Sequence, residues 1–310
     1  DLDTLHKGRQ TIVFDRHPVI LAHSAIAGKK ESEGPLAGFF DHTETDTRFG
    51  QKTWEKAETR LQELALDTAR SKAQLQYSDL DVLFAGDLLN QCISSAFAIR
   101  DTRIPFLGLY GACSTMAESL TLAAAAVNAG YAARAAALTS SHFATAERQY
   151  RFPLGYGGQR TPTAQWTVTG SGCCIVASGG RGPYLNCATI GRIEDYGIKD
   201  ANNMGAAMAP AAYSTLRAHF ADTGLRPQDY DLIVTGDLGT LGSTIVTDLF
   251  QRDGVEFGAN YRDCGVLIYD LKRQDVHAGG SGCGCGASVL CGYLLRQLRE
   301  KKINSLLFCA

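Results

Sequence analysis

The chain has 310 residues, with 30 Lys and Arg against 32 Asp and Glu for a formal charge of -2, so no positive field draws it to nucleic acid or to an acidic membrane surface. No run of about 18 uninterrupted apolar residues occurs, and residues 1–14 lack the charged-then-apolar order of a signal peptide, so the sequence predicts a soluble protein. Ten cysteines without CxxC spacing predict reduced, mostly packed thiols and no zinc or disulfide framework.

Residues 11–27 alternate and branch like a strand, interrupted at His17-Pro18. Thr53 can cap a helix in which Trp54, Ala57, Leu61, Leu64, Ala65 and Thr68 recur at helical spacing. Residues 81–85 read as a short strand ending at Gly86-Asp87, and a helical stretch follows to Ile99. Residues 107–140 read strand, sharp turn, buried helix, strand. Gly111 and Ala112 let the backbone turn tightly and deliver Cys113 to the first turn of that helix, where unpaired N–H groups favour a thiolate. Cys113 is therefore a site candidate, set against the ordinary tendency of free cysteine to be buried.

Residues 141–166, polar and aromatic with Pro153 and Pro162, read as a long irregular loop of the kind that carries function. A central strand is expected over 166–177, with at least one of Cys173 and Cys174 facing a core, and a linker over 178–183. Residues 184–193 are strand-like. Pro210 is read as opening a helix that Gly224 and Pro227 close.

Two echoes run through the chain. Residues 229–239, DYDLIVTGDLG, repeat 79–89, DLDVLFAGDLL, at an offset of 150 that sets Asp237 opposite Asp87. Residues 281–310 overlay 110–139 at an offset near 170, with Cys283 opposite Cys113. An echo in strand, turn and following helix together predicts an α/β protein of two duplicated βαβαβ halves, 1–178 and 179–310. The first half continues past residue 140 to a further strand. The matching segment, 303–310, does not, so the second half is expected to lack its last strand, to be incomplete at its C-terminus and to leave a sheet edge open.

Two α/β halves, a cysteine at the mouth of a buried helix and a Gly-rich turn resemble the thiolase and ketoacyl synthase superfamily, which implies a layered α/β/α/β/α arrangement. GDLLNQ at 86–91, GACST at 111–115, TSSH at 139–142 with ATAERQ at 144–149, YGGQ at 156–159, TVTGSG at 167–172, MGAAMAPAA at 204–212 and AGGSGC at 278–283 resemble one branch of it, the stage V sporulation protein AD family. That resemblance implies a protein of the developing spore that binds dipicolinic acid and works with other SpoVA proteins in moving it, with calcium, into the spore. It also implies peripheral association with the inner spore membrane through those partners, and a homodimer paired through residues 133–141.

Condensing enzymes of this superfamily add to the cysteine a histidine or asparagine from the second half. Where a ketoacyl synthase would place that histidine, this chain has Thr235-Gly236-Asp237, and no Gly-His-Pro occurs. An aspartate at 237 would repel a thiolate and raise the cysteine pKa. Only His142 and His277 fall at strand-to-loop positions near the presumed site, and His142 reads equally as a site residue or a packed one. A non-catalytic ligand binder is expected; the alternative is an active acyl-CoA thiolase or ketoacyl synthase using Cys113.

Dipicolinate is a flat ring with two carboxylates, matched by guanidinium forks and aromatic rings. Arg148, Arg151 and Arg160 are interleaved with Phe143, Tyr150, Tyr156 and Trp166. The candidate ligand set is thus Cys113, His142, Arg148, Arg160, Asp87, Asp237 and Cys283. No resident cofactor is expected. Calcium could accompany the ligand, but Asp87 and Asp237 alone offer too few oxygens to hold it and read better as turn caps.

Overall fold

A computed structural model describes residues 5–150 and 160–310, the side chains of 148–150 excepted. The first half is built on a six-stranded sheet. Its strands are β1 (Val19–Ala27), β2 (His42–Thr43), β3 (Val82–Gly86), β4 (Phe106–Leu109), β5 (Arg134–Ser141) and β6 (Gly170–Ala177), in the order β2-β1-β6-β5-β3-β4. Only β6 runs antiparallel to its neighbours β1 and β5. A second, all-parallel sheet joins β7 (Leu232–Thr235), β8 (Tyr261–Asp263) and β9 (Leu306–Cys309) in the order β8-β7-β9.

Strand alternation assigns the layers. In β5, Ala135 and Ala137 face one core while Ala136 and Leu138 face another, and in β6 Cys174 and Val176 divide from Cys173 and Ile175 in the same way. Both cysteines of the pair are therefore buried, on opposite faces. The central core is filled by α2 (Thr115–Asn128), through Met116, Leu120, Ala123 and Val127, and by α5 (Cys283–Val289), through Cys285, Ala287 and Val289. On the outer face of the large sheet lies α1 (Trp54–Lys72), started by Thr53, whose side chain accepts from the Lys56 amide at 3.3 Å. The outer face of the small sheet is covered by α3 (Met204–Thr223) and α4 (Gly239–Arg252), through Tyr213, Leu216, Val246 and Phe250. This is the α/β/α/β/α order, and each fully buried Leu, Ile or Phe in it contributes about 1.5–3 kcal/mol.

The duplication extends to register. Val82 pairs with Ala135 in the first sheet and Leu232 with Leu306 in the second. Asp81 accepts from the amides of Ala133 and Arg134 at 2.7 and 3.0 Å, and Asp231 from those of Asn304 and Ser305 at 2.6 and 3.3 Å. In both halves one carboxylate thus ties the start of the central strand to the strand that follows the buried helix.

Small residues let the halves meet at backbone distance. A side chain on Gly284 would lie 2.5 Å from the Gly170 carbonyl and 2.7 Å from the Ser141 amide, and one on Gly172 would lie 2.5 Å from the Ala287 carbonyl. The run SGCGCGAS is therefore a helix pressed directly on β5 and β6.

Several elements differ from expectation. Phe143–Tyr150 is helical where a loop is predicted, because Ala146 packs on Leu88 and Cys283 and its amide closes the first turn on His142 at 3.0 Å. Pro210 lies inside α3, which Asn203 caps seven residues earlier by accepting from Ala206. The segment 166–177 is two strands: Trp166–Thr167 pairs with Gly280–Ser281 of the second half, and only β6 is central. Of 184–193, only Cys187–Thr189 is strand. Finally, β5 cannot pair with a second copy, because β3 and β6 occupy both its edges; among the described residues the edge of this sheet beside α2 is β4. The strand β9 pairs with β7 on one side only among the described residues, and all four of its residues are half-buried.

Candidate functional site

The turn before α2 carries its strain on Ala112, at φ +51°, and not on Gly111, which is in an ordinary region at φ -89°. Gly111 is needed for space instead, since a side chain there would meet Glu118 and Ser114 at 2.3 and 2.6 Å. A 3-10 turn, Ala112–Ser114, follows, locked by Ser114 donating to the Gly111 carbonyl at 2.7 Å and Thr115 to that of Ala112 at 2.7 Å. Cys113 sits in this turn, which packs against α5, and the carboxylate of Asp237 is the charge that acts on its thiol most.

Burial, then the charge of Asp237 and the nearness of Cys283, hold the Cys113 pKa well above the ordinary range, with the Gly282 amide acting weakly the other way. The helix-terminus argument for a thiolate therefore loses to desolvation and a buried carboxylate. Asp237 receives the Gly282 amide at 2.8 Å, while the Gln165 side-chain amide donates to its carbonyl at 2.7 Å.

Asp237 is free to do this because its neighbour caps the helix. Asp263, at the end of β8, accepts from Thr235 at 2.7 Å and from the amides of Leu238 and Gly239 at 2.8 and 2.9 Å. In the first half no such proxy acts: Asp87 itself accepts from the Leu89 amide at 2.9 Å and from the amide and hydroxyl of Ser95 at 2.8 and 2.6 Å. Equivalent aspartates have thus taken different tasks, and Asp87 caps its turn as the sequence suggests. Among the described residues no group of three or more His, Cys, Asp and Glu is placed to hold a metal ion.

Cys283 is buried and donates to the Ser140 carbonyl at 2.9 Å. Burial pushes its pKa up, and Glu58, Asp87 and Asp237 add to the shift. Behind it lies a polar network absent from the sequence reading. Glu58 accepts from Ser140 at 3.0 Å and from Thr145 at 2.6 Å, and Gln62 donates to Ser95 and Ser140 at 2.9 Å each. Burial, and then Asp87, raise Glu58 to about 8. The available signal was that Glu58 and Gln62 fall at helical spacing with Leu61, Ala65 and Leu66, on the buried side of α1.

His142 and Arg160 are not brought to Cys113. The His142 Nε2–H donates to the Thr47 carbonyl at 2.7 Å and Nδ1 accepts the Ala144 amide at 3.1 Å, so both ring nitrogens are used; burial lowers its pKa. Arg160 pairs with Asp275 at 2.8 Å and lies over the Trp166 ring. The side chain of Arg148 and all of Arg151 lie outside the described residues. The candidate set is therefore one cluster of Cys113, Asp237 and Cys283, with Asp87 behind Cys283, plus two separate residues.

Duplicated halves, five layers and a cysteine turn facing the second half define a thiolase-like protein. Solved structures agree on this fold. The 3-oxoacyl-[acyl-carrier-protein] synthase III of Aquifex aeolicus VF5 superposes with a TM-score of 0.56 at 12% identity, covering 94% of each chain. Cerulenin-bound OleA of Xanthomonas campestris gives 0.61 at 12% identity, covering 92% of this chain and 89% of that one. Within that class, residues 8–310 match the family stage V sporulation protein AD, and the Bacillus subtilis (strain 168) protein of that name is 47% identical over 298 residues, 96% of this chain and 88% of that protein. The chain belongs to the stage V sporulation protein AD family. None of the described helices is long and apolar enough to cross a membrane.

Proposed function

We propose that this sporulation protein is a non-catalytic binder of dipicolinic acid that takes part in its uptake into the developing spore. The observation that carries the non-catalytic part is the buried carboxylate of Asp237, held by the Gly282 amide at the start of the helix on which the Cys113 turn packs. A condensing enzyme needs a thiolate and a base to make it, whereas here burial and the Asp237 charge keep the thiol protonated, and the groups that perturb Cys113 most are Asp237, Cys283 and the Gly282 amide. The ligand itself rests on family membership and on what the resemblance implies. Calcium enters in this reading as the ligand's companion, and other SpoVA proteins supply the contact with the inner spore membrane.

The reading includes a homodimer, with the edge strand β4 as its contact. Leu107 is 57% exposed there, and Phe97, Tyr110 and Ile93 are exposed on elements next to it, an apolar edge of the kind that pairs with another strand. Calorimetric titration of the protein with dipicolinate, with and without calcium, tests the function. Saturable binding together with no acetoacetyl-CoA cleavage supports it, and absence of binding under both conditions, or turnover that disappears in Cys113→Ser, overturns it.

A further inference from the structure

Glu58 is fully buried on α1, in a chain of side chains whose hydrogens can be assigned one by one. Asp87 stands at the far end and takes the amides of Leu89 and Ser95 together with the Ser95 hydroxyl. An N–H cannot accept in return, so Asp87 is the ionised member. With its hydrogen committed to Asp87, Ser95 is an acceptor for Gln62 Nε2, whose second hydrogen goes to Ser140, each at 2.9 Å. Ser140 in turn donates to Glu58 Oε1 at 3.0 Å.

The next link decides the state of Glu58. Thr145, in the first turn of the helix Phe143–Tyr150, has one hydroxyl hydrogen, yet its oxygen lies 2.6 Å from Glu58 Oε2 and 2.9 Å from the His142 carbonyl. As a carboxylate, Glu58 accepts from both Ser140 and Thr145; the His142 carbonyl then keeps only the Ala146 amide, and a second buried charge joins Asp87 in one network. As a neutral carboxyl, Glu58 donates from Oε2 to Thr145 and Thr145 donates to His142, so both contacts are hydrogen bonds at once.

The groups around the carboxyl agree with the neutral form. Asp87, from the turn after β3, and Glu55, one turn back on α1, both raise the Glu58 pKa, and no lysine or arginine is among the groups that act on it most. Cys283 of α5 feels the Glu58 charge as a buried thiol whose own pKa is raised. His142 is lowered by burial, and Glu147 is buried on the same helix as Thr145.

We propose that Glu58 is a positioning residue which, by donating from Oε2 to Thr145, latches the helix Phe143–Tyr150 over Cys283, and that removing this one proton frees the helix and opens that wall of the site. Ala146 of the helix packs on Cys283 and Leu88, so a carboxyl on the outer layer controls access to the Cys283 side of the cluster. The inference goes beyond the binding reading and needs no ligand to hold.

Hydrogen exchange of the full chain, read by mass spectrometry, tests the latch. Glu58→Gln supplies an N–H where the carboxyl has its O–H, keeps an oxygen for Ser140 and cannot titrate, so its latch stays closed. The folded chain holds the Glu58 proton up to about 8. The exchange of amides 143–150, as the ratio of wild type to Glu58→Gln at each pH, should therefore be flat below neutrality and rise several-fold as pH climbs through about 8. The ratio cancels the pH dependence of exchange itself and any titration of His142, Glu147 or Cys283. Over α3 and α4 it should not move. If Glu58→Gln does not fold, Thr145→Val is the reference: it has no latch at any pH, so wild type should exchange more slowly than this variant at neutral pH and converge on it above about 8. A flat ratio across the range, a rise shared equally by α3 and α4, or a wild type that stays slower than Thr145→Val throughout overturns the latch. None of these results bears on dipicolinate binding, which calorimetry decides separately.

Discussion

The turn that carries Cys113 packs on the helix whose entry amide, Gly282, donates to the buried carboxylate of Asp237, so an acid of the second half raises the pKa of a cysteine of the first. Asp237 is available for this because Asp263 accepts the first amides of α4, the task that its counterpart Asp87 performs itself in the first half. The cysteine turn sits at the mouth of a buried helix, yet burial and the Asp237 charge both favour the neutral thiol.

Replacing the charge should partly undo this. In Asp237→Asn the carboxylate that raises the Cys113 pKa is gone while an acceptor oxygen remains, so the pKa falls. Iodoacetamide labelling of Cys113, followed by mass spectrometry over a pH series, should show its midpoint move down by about one unit or more. Burial, the largest cause, stays in place, so the thiol remains harder to ionise than an exposed one. An unmoved midpoint would mean that Asp237 does not govern this cysteine.

How far the sequence discloses this depends on the kind of interaction. The offset of 150 makes Asp87 and Asp237 equivalent in sequence, and the strand register shows that the equivalence is physical. That their side chains turn to different partners is set by Asp263, over 20 residues farther on, and no local pattern reports it. The five-layer order was implied by the resemblance to the superfamily, and the strands show its physical basis, with alternate residues of β5 and β6 facing different cores. Helix Phe143–Tyr150 was hidden because its support comes from Leu88 and Cys283, distant in sequence. Pro210 misleads in the same way: Pro is common in a first turn, yet here Asn203 starts the helix and packing carries the proline inside it.

The contact of α5 with the large sheet predicts a sharp difference between glycines. A methyl group on Gly284 would strike the Gly170 carbonyl and the Ser141 amide, both backbone and unable to yield, whereas one on Gly179 meets nothing within 4 Å. Gly284→Ala should cost about 1–3 kcal/mol through overpacking, read as a lower denaturant midpoint, with Gly179→Ala close to wild type. Equal midpoints would mean that the halves do not meet at backbone distance.

A dimer through β4 makes a prediction at the surface. Leu107, 57% exposed on an edge strand, loses no internal packing when made charged, so Leu107→Glu should leave the melting midpoint near wild type while repelling a second copy. Light scattering at micromolar concentration should give a dimer mass for the unaltered protein and a monomer mass for Leu107→Glu. A monomeric wild type would remove the dimer from the proposal, and a dimer that survives the substitution would place the contact on another face.

The last prediction concerns Glu31, beside Lys30. Its carboxyl is fully enclosed, accepting from the Tyr269 hydroxyl and from the Thr169 amide at 3.1 Å, with Oε2 lacking a hydrogen-bond partner among the described residues. Burial raises its pKa from 4.5 to about 7. A raised pKa means that the folded chain holds this proton where the unfolded chain has released it, so the contribution is full below about 4.5 and is lost as pH climbs through about 7. His23 and His219, lowered to about 4 chiefly by burial, act oppositely and lose stability as pH falls, so the absolute profile mixes both signs. A comparison isolates Glu31: in Glu31→Gln the Tyr269 and Thr169 hydrogen bonds can persist and nothing titrates. Wild type should therefore lose stability relative to Glu31→Gln as pH rises from about 4.5 to just above 7, by on the order of 3 kcal/mol in total. Parallel pH profiles of denaturant unfolding for the two proteins would show that Glu31 is ionised in the folded state at acid pH, and that the enclosed carboxyl is solvated or paired.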